Sequence, residues 1–274
     1  MQTKIRPAPF AIFSTDHGTM IVNRNDFRMV DERHGYGVGY QIMNQSCFDP
    51  AEIQFALALL EARCSDYGPG MVAIDCGANI GTHTVEWAKL LQNKGHIYAF
   101  EAQEKIFYCL AGNIVINNCL NVTARLTAVG SENDVISIPE PDYLTPSSYG
   151  SFAIKSTENT EFIGQNVNYD KPTLQIPQIS LDSLKLKRVD FIKIDVEGME
   201  WEVLQGASQT IKACKPQMII EIIKTDKEKV ISWLSQHGYE TFPLGINILA
   251  IHASDPSRAR LSIENGGLRF SQGE

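Results

Sequence analysis

The stretch from Val72 to Leu91, VAIDCGANIGTHTVEWAKLL, decides how the chain is read. VAID is an apolar run of strand length, and TVEWAKLL has the spacing of an amphipathic helix. Between them lies a turn with two glycines, Gly77 and Gly81, entered through an acid, Asp75. A strand, a glycine turn and a helix in that order form a cradle for a cofactor at the helix N-terminus.

The spacing Asp75-x-Gly77-x-x-x-Gly81 is not the G-x-G-x-x-G of a dinucleotide turn, and no Gly-Lys-Ser/Thr follows to make a P-loop. The acid sharpens the exclusion. A carboxylate just ahead of the turn repels a pyrophosphate and favours a cationic ligand, or one that donates from an amine or hydroxyl. S-adenosylmethionine, with a sulfonium, an ammonium, a ribose diol and no phosphate, meets those demands. Glu101 ends the next strand, HIYAFE, 26 residues after Asp75, and is placed to accept from the ribose hydroxyls. Taken singly, Asp75 could be a helix cap and Glu101 a solvated strand end. Two acids ending adjacent strands favour the ligand reading.

Strands and helices alternate from residue 71 onward: MVAID, a helix near 81–92, HIYAFE, a helix near 103–118, VTARLTAVG, VDFIKIDV, a helix near 199–212, QMIIEII and a helix near 226–237. YETFPL and NILAIHA, with Gly245 between, close the series as an antiparallel hairpin. Near-continuous apolar strands joined by helices predict an α/β fold with a mostly parallel sheet covered on both faces. Ligands of such sheets bind at the carboxyl ends of the strands, where Asp75 and Glu101 lie.

Three segments fall outside that pattern. Residues 1–70 read as a preamble packing on, or lidding, the site. FAIFST and TMIVN form a hairpin across Asp16-His17-Gly18, HGYGVGY (34–40) reads as flexible, and a helix starts with Asp49 as N-cap, Pro50 at its first position and Glu52 as capping-box acid. Within the methyl-donor domain of 71–252, residues 131–178 are rich in Ser, Pro, Asn and Tyr and read as a functional insertion. Residues 253–274 form a polar tail expected to fray.

Composition narrows the partners. Of 274 residues, 43% are hydrophobic and 20% charged, with a net charge of −8. A core can be buried, but the acidic balance argues against nucleic acid, which needs basic faces. No apolar run approaches the roughly 20 residues that span a bilayer, and no signal peptide is visible, so a cytoplasmic setting is expected. Six cysteines without a C-x-x-C pair, and six histidines without H-x-x-x-H spacing, lead us to expect buried thiols and no metal.

DCGANIGTHT, AFEAQEKIFYCLAGNIVINN, ISLDSL, VDFIKIDVEGMEWEVLQGA and PQMIIEI, in that order over roughly 71–223, resemble the FkbM-type S-adenosylmethionine-dependent methyltransferases. DxGANxG alone marks class I methyltransferases; LDSL followed by KIDVEGxE is much more specific. The resemblance implies a Rossmann-like class I methyltransferase fold, a three-layer αβα sandwich whose seven-stranded sheet has an antiparallel last strand. It also implies O-methylation of a sugar or secondary metabolite. Carried onto this chain, it makes Asp75, Gly77, Ala78, Asn79, Gly81 and Thr82 the cofactor turn. Glu101 with Ala102 then forms the ribose edge, and Asp195, Glu197 and Gly198 the signature between cofactor and acceptor. Ala102-Gln103 stand where the family often has a proline after the acid.

A sugar-like hydroxyl is a poor nucleophile that gains from a general base. Period two in FIKIDVEG sets Phe191, Lys193, Asp195 and Glu197 on one side. A buried lysine needs a partner, and Glu221 in IIEII is expected to pair with Lys193. That pair is either structural or part of a catalytic cluster in which Asp195 or Glu197 takes the proton. His83, in the first turn of the cofactor helix, is the second base candidate, against the simpler reading of a polar surface or cap residue. Tyr36, Tyr40, Phe48, Tyr149 and Phe152 read singly as packing, and together as an aromatic acceptor pocket. A small molecule, a glycan or a peptide remains open as acceptor. The alternatives are N-methylation of an amide or amine, and a methyltransferase fold that holds the cofactor without turnover.

Overall fold

The computed structural model describes residues 8–156, 160–264 and 267–271. Portions of the expected preamble, insertion and tail (1–7, 157–159, 265–266 and 272–274) lie outside the described residues.

The chain opens with the hairpin β1 (Phe10–Thr15) and β2 (Gly18–Asn23), paired antiparallel across the two-residue turn Asp16-His17. A two-residue pairing follows between β3 (Arg28–Met29) and β4 (Gly35–Tyr36), then α1 (Val38–Gln45) and α2 (Pro50–Tyr67). HGYGVGY is therefore ordered structure rather than a flexible run. Its glycines serve close packing: a Cβ on Gly37 would lie 2.6 Å from the Asp26 carbonyl oxygen, and Gly37 has φ of 132°.

The central sheet is built from β5 (Met71–Cys76), β6 (Gly95–Glu101), β7 (Val122–Leu126), β11 (Phe191–Ile194), β12 (Gln217–Glu221), β13 (Tyr239–Leu244) and β14 (Asn247–His252). Its order is β13-β14-β12-β11-β5-β6-β7. All pairings are parallel except those of β14, which runs antiparallel to both β12 and β13. The chain moves outward from β5 through β6 to β7, then returns to place β11 on the other side of β5. The order reverses between β5 and β11, and that is where a crevice opens.

Period-two alternation divides the core into two layers. Met71, Ala73, Ile97, Ala99 and Phe191 pack with α2, α3 (Thr82–Leu90) and α4 (Glu104–Ile116). Ile74, Cys76, Phe100, Ile192, Ile194 and Ile220 pack with α5 (Glu200–Gly206), α6 (Ser208–Cys214) and α7 (Lys227–Gln236). The single helix expected near 199–212 is split at Ala207. α7 starts where Asp226 accepts from the Lys229 amide at 3.0 Å, a side-chain N-cap.

The VTARLTAVG run divides into β7 and β8 (Ala128–Val129). β8 pairs with β10 (Leu174–Ile179), which in turn pairs with β9 (Asp134–Ile138), so the ends of the insertion form a small three-stranded sheet. Described residues of the remainder of the insertion contact the preamble. Asp26 accepts from the Tyr149 amide at 3.0 Å and the Gly39 amide at 3.2 Å. Asn25 donates to the Leu144 carbonyl at 3.0 Å, and Arg28 pairs with Glu161 at 3.1 Å.

The tail does not fray over its described part. β15 (Leu261–Glu264) and β16 (Gly267–Phe270) pair antiparallel. Phe270 meets Phe55 of α2 edge-on at 6.4 Å, and Arg260 pairs with Asp66 at 2.7 Å. Apolar residues spaced through LSIE and GLRF cover α2, which polar composition alone conceals.

Candidate active site

A cavity of about 240 Å³ lies at the carboxyl ends of β5, β6, β11 and β12. Asp75, Gly77, Ala78, Asn79, Thr82, His83, Glu101, Ala102, Lys193, Asp195, Glu197 and Glu221 all line it. Of the cofactor-turn and signature residues expected from the sequence, Gly81 and Gly198 do not. Gly81 instead adopts φ of 92° at the start of α3, where a Cβ would come 2.6 Å from Leu110.

Asp75, at the penultimate position of β5, is buried, and its Oδ2 accepts from the Thr84 hydroxyl at 2.6 Å. Its Oδ1 is buried with no hydrogen-bond partner. A buried carboxylate oxygen left unmatched is costly, so it invites a donor from a ligand. Glu101 closes β6 and accepts the Asn79 amide at 2.9 Å on one oxygen and the Gln103 amide at 2.7 Å on the other. Burial pushes its carboxyl up to about 7, against the pull of the Gln103, Asn79 and Ala102 amides. Asn79 takes φ of 51°, which aims its own amide at Glu101. The turn after β5 thus encloses the acid at the end of β6.

On the other wall, β11 stops at Ile194, and Asp195 and Glu197 follow it. Glu197 reaches the cavity through a left-handed turn, φ 57°, and not by strand alternation. The buried Glu200 carboxylate pins that turn by accepting from the amides of Val196 (3.2 Å) and Gly198 (3.0 Å). Lys193 does not pair with Glu221. Its Nζ donates to Asp195 Oδ2 at 2.6 Å. The register explains this: Lys193 faces Ile219, while Glu221 lies one step beyond Ile220, the partner of Ile194. Burial pulls the Lys193 ammonium down, but Asp195, Glu52 and Asp75 outweigh it and hold the group above the usual lysine range. Lys224, which the sequence reading passed over, pairs with Glu197 and lies 3.5 Å from Glu161. Burial, with Asp195 beside it, pushes Glu197 up to about 8 despite Lys224. Burial, with Asp195, Glu197 and Glu200 nearby, pushes Glu221 up to about 9.

Glu52 is the principal residue missed. Asp49 sits at the start of α2 with φ of 37° and makes no side-chain cap; it pairs instead with Gln41. Freed from a capping box, Glu52 enters the cavity, lies 3.2 Å from His83 Nε2 and accepts from Asn247. Burial opposes ionisation, but His83, Lys193 and Asn247 bring its carboxyl down to about 2. His83 is buried, edge-on to Trp87 at 5.8 Å, so it is neither a surface nor a cap residue. The only available signal was proximity in space, which no local spacing encodes. Of the aromatic set, Tyr36, Phe48 and Phe152 line the cavity. Tyr149 packs away with its hydroxyl on the Thr145 carbonyl at 2.6 Å, and Tyr40 donates to the Arg33 carbonyl at 3.4 Å.

The sheet order, the single antiparallel strand and the acid-lined turn define a class I methyltransferase fold. Residues 75–241 match the family described as "Methyltransferase FkbM domain", and the chain belongs to the FkbM methyltransferase family. It is similar to "Methyltransferase 1" of Beauveria bassiana (strain ARSEF 2860), 26% identical over 157 residues covering 53% of this chain and 62% of that protein. It is likewise similar to "Hexuronic acid methyltransferase AglP" of Haloferax volcanii, 26% identical over 172 residues covering 61% of this chain and 62% of that protein. The chain thus covers less than two thirds of either relative. Among solved structures, the methyltransferase FkbM from Methylobacillus flagellatus KT is 15% identical with a TM-score of 0.48, covering 78% of this chain and 58% of that one. Among the described residues, no helix is long and apolar enough to cross a membrane.

Proposed function

We propose that the protein transfers a methyl group from S-adenosylmethionine to a hydroxyl of a sugar or secondary metabolite. The observation that carries the reading is the pair of buried carboxylates at the ends of adjacent strands, Asp75 with an unmatched Oδ1 and Glu101 beside it. Asp75 with Gly77, Ala78, Asn79 and Thr82 would hold the charged amino-acid end, and Glu101 with Ala102 the ribose. When bound, the cofactor supplies an electrophilic methyl. The name of the Haloferax volcanii relative supports a sugar acceptor.

The chain's own part is positioning and proton removal. Asp195 already holds Lys193 at 2.6 Å. His83 faces the cavity with the Glu52 carboxylate 3.2 Å from Nε2, near enough for the carboxylate to orient the imidazole. His83 is therefore the base and Glu52 its positioning partner. Lys193 and Asp195 fix the edge between donor and acceptor. Tyr36, Phe48 and Phe152 offer apolar faces to the ring of the acceptor.

The test is calorimetry with S-adenosylmethionine, S-adenosylhomocysteine and NAD, followed by labelled methyl transfer to panels of sugars, amines and peptides. Binding of the two sulfur ligands, with label on a sugar oxygen, is the expected result. Binding of NAD alone overturns the cofactor, and label recovered only on nitrogen overturns the hydroxyl acceptor.

A further inference from the structure

The wall beside the glycine turn, at the ends of β11 and β12, carries a second piece of chemistry. Asp195, Glu197 and Glu221 each offer one carboxylate oxygen, and the three oxygens lie within 4.8 Å of one another. Such a cluster alone says little, because neighbouring acids are common without an ion. Glu221 adds an independent observation. It closes β12, is only 5% exposed and faces the cavity, and its buried Oε2 has no hydrogen-bond partner. A carboxylate held that far from water without a donor calls for a cation or a proton.

The two lysines do not fill that need. Lys193 holds one oxygen of Asp195 and Lys224 one oxygen of Glu197, and neither forms an ion pair with Glu221. With Glu200 behind the turn, four carboxylates face two ammonium groups. The loop that presents Asp195 and Glu197 is also held in shape. Glu200 fastens its amides, and Glu197 sits at a left-handed φ that costs energy for a non-glycine residue. Backbone strain kept in place by a buried carboxylate fits a loop shaped to present its side chains.

We propose that Asp195, Glu197 and Glu221 bind one divalent, oxygen-preferring cation of the Mg²⁺ or Mn²⁺ kind at the acceptor wall of the cavity. The donor set is oxygen only, with neither imidazole nor thiolate, which selects hard cations over zinc or copper. Three protein oxygens leave positions of an octahedral shell open toward the cavity, where water or the oxygens of an acceptor complete it. A cation there orients an acceptor hydroxyl and draws electron density from it, easing loss of its proton to His83. The site stands on the cluster; this role rests on the methyltransferase reading. A search for cysteine and histidine spacing is blind to such a site, which explains the expectation of no metal.

The experiment is titration of the EDTA-dialysed full chain with MnCl₂, read by electron paramagnetic resonance of free Mn²⁺ and by calorimetry, with and without S-adenosylmethionine. One site per chain is expected. Glu221→Gln should weaken it at least tenfold, while Glu228→Gln, on the exposed first turn of α7, leaves it unchanged. Thermal melting confirms that each variant is folded. Failure of the folded wild-type chain to bind at millimolar Mn²⁺ under either condition overturns the proposal, because lysines and protons alone would then neutralise the cluster. So does binding that survives Glu221→Gln. Manganese binding without any S-adenosylmethionine binding would keep the site and remove the methyltransferase role. The reverse result would remove the site and keep that role.

Discussion

Gly77 and Asp195 lie back to back: a Cβ on Gly77 would overlap the carbonyl oxygen of Asp195. The turn that follows β5 and the turn that follows β11 are pressed together at the point where the strand order reverses. Gly77 also holds φ of 81°, which only glycine adopts without strain. Gly77→Ala is therefore expected to lower the stability of the protein by about 3 kcal/mol or more, from left-handed strain plus overlap. Equilibrium unfolding measures it, and a loss under about 1 kcal/mol would mean that the two turns yield easily.

Asp75 and Glu101 should separate binding from folding. Asp75→Asn and Glu101→Ala each remove a carboxylate, and each should weaken S-adenosylmethionine binding by roughly 10- to 100-fold, the worth of a hydrogen bond to a charged group. Circular dichroism should show both variants folded. Because burial sets the Glu101 carboxyl at about 7, it carries a proton below that pH and accepts fewer ligand hydrogens. Affinity of the wild type should accordingly rise as pH passes from about 6 to about 8, with Asp75 the charged neighbour acting on the same group. A flat profile would remove Glu101 from the ribose contact.

His83 and Glu52 are expected to act on turnover. His83→Ala should lower kcat by roughly 10²- to 10⁴-fold, the usual contribution of a general base, while cofactor affinity changes little. Glu52→Gln keeps the volume and loses the charge beside the ring, so kcat should fall by a smaller factor. If Asp195→Asn cuts turnover and His83→Ala does not, the proton goes to Asp195.

Asp26 predicts a dependence of stability on pH. Burial raises its carboxyl from 3.8 to about 7, outweighing the amides of Tyr149, Gly39 and Val38. For an acid whose folded value lies above its unfolded one, the stabilising contribution is complete below about 4 and is lost as pH rises through about 7. Asp26→Asn cannot titrate. The wild type minus variant difference in unfolding free energy should therefore fall as pH goes from about 4 to about 7, then level off. A constant difference would show that Asp26 does not change its proton over that range.

The sequence made the glycine-turn wall of the cavity readable because its signals are local. Asp75, Gly77 and Asn79 lie within one turn, and Glu101 ends the next strand, so strand assignment alone brings the acids together. The wall that Glu52 and Lys193 line was read less well because its partners are distant. Glu52 meets Asn247 across 195 positions, and a capping-box pattern gave it a plausible local use. The pairing of Lys193 with Glu221 fails because sequence identifies the neighbouring strand but not its register: Lys193 stands opposite Ile219, two residues short of Glu221, and its ammonium reaches Asp195 two positions along its own chain. Period two also carried Glu197 along a strand that had already ended at Ile194. The tail looked frayed because apolar residues spaced among polar ones show their face only once α2 lies beneath them.

The Asp26 carboxylate reaches both the Gly39 amide near the chain start and the Tyr149 amide more than a hundred positions later. Arg28 and Tyr36 grip Glu161 in the same way. The preamble and the insertion, two of the three segments outside the sheet's alternating pattern, are therefore tied together, though β5, β6 and β7 separate them in the chain. Replacing only one of the two segments would sever these hydrogen bonds beside the cavity. Heritable change in either segment therefore has to travel with change in the other.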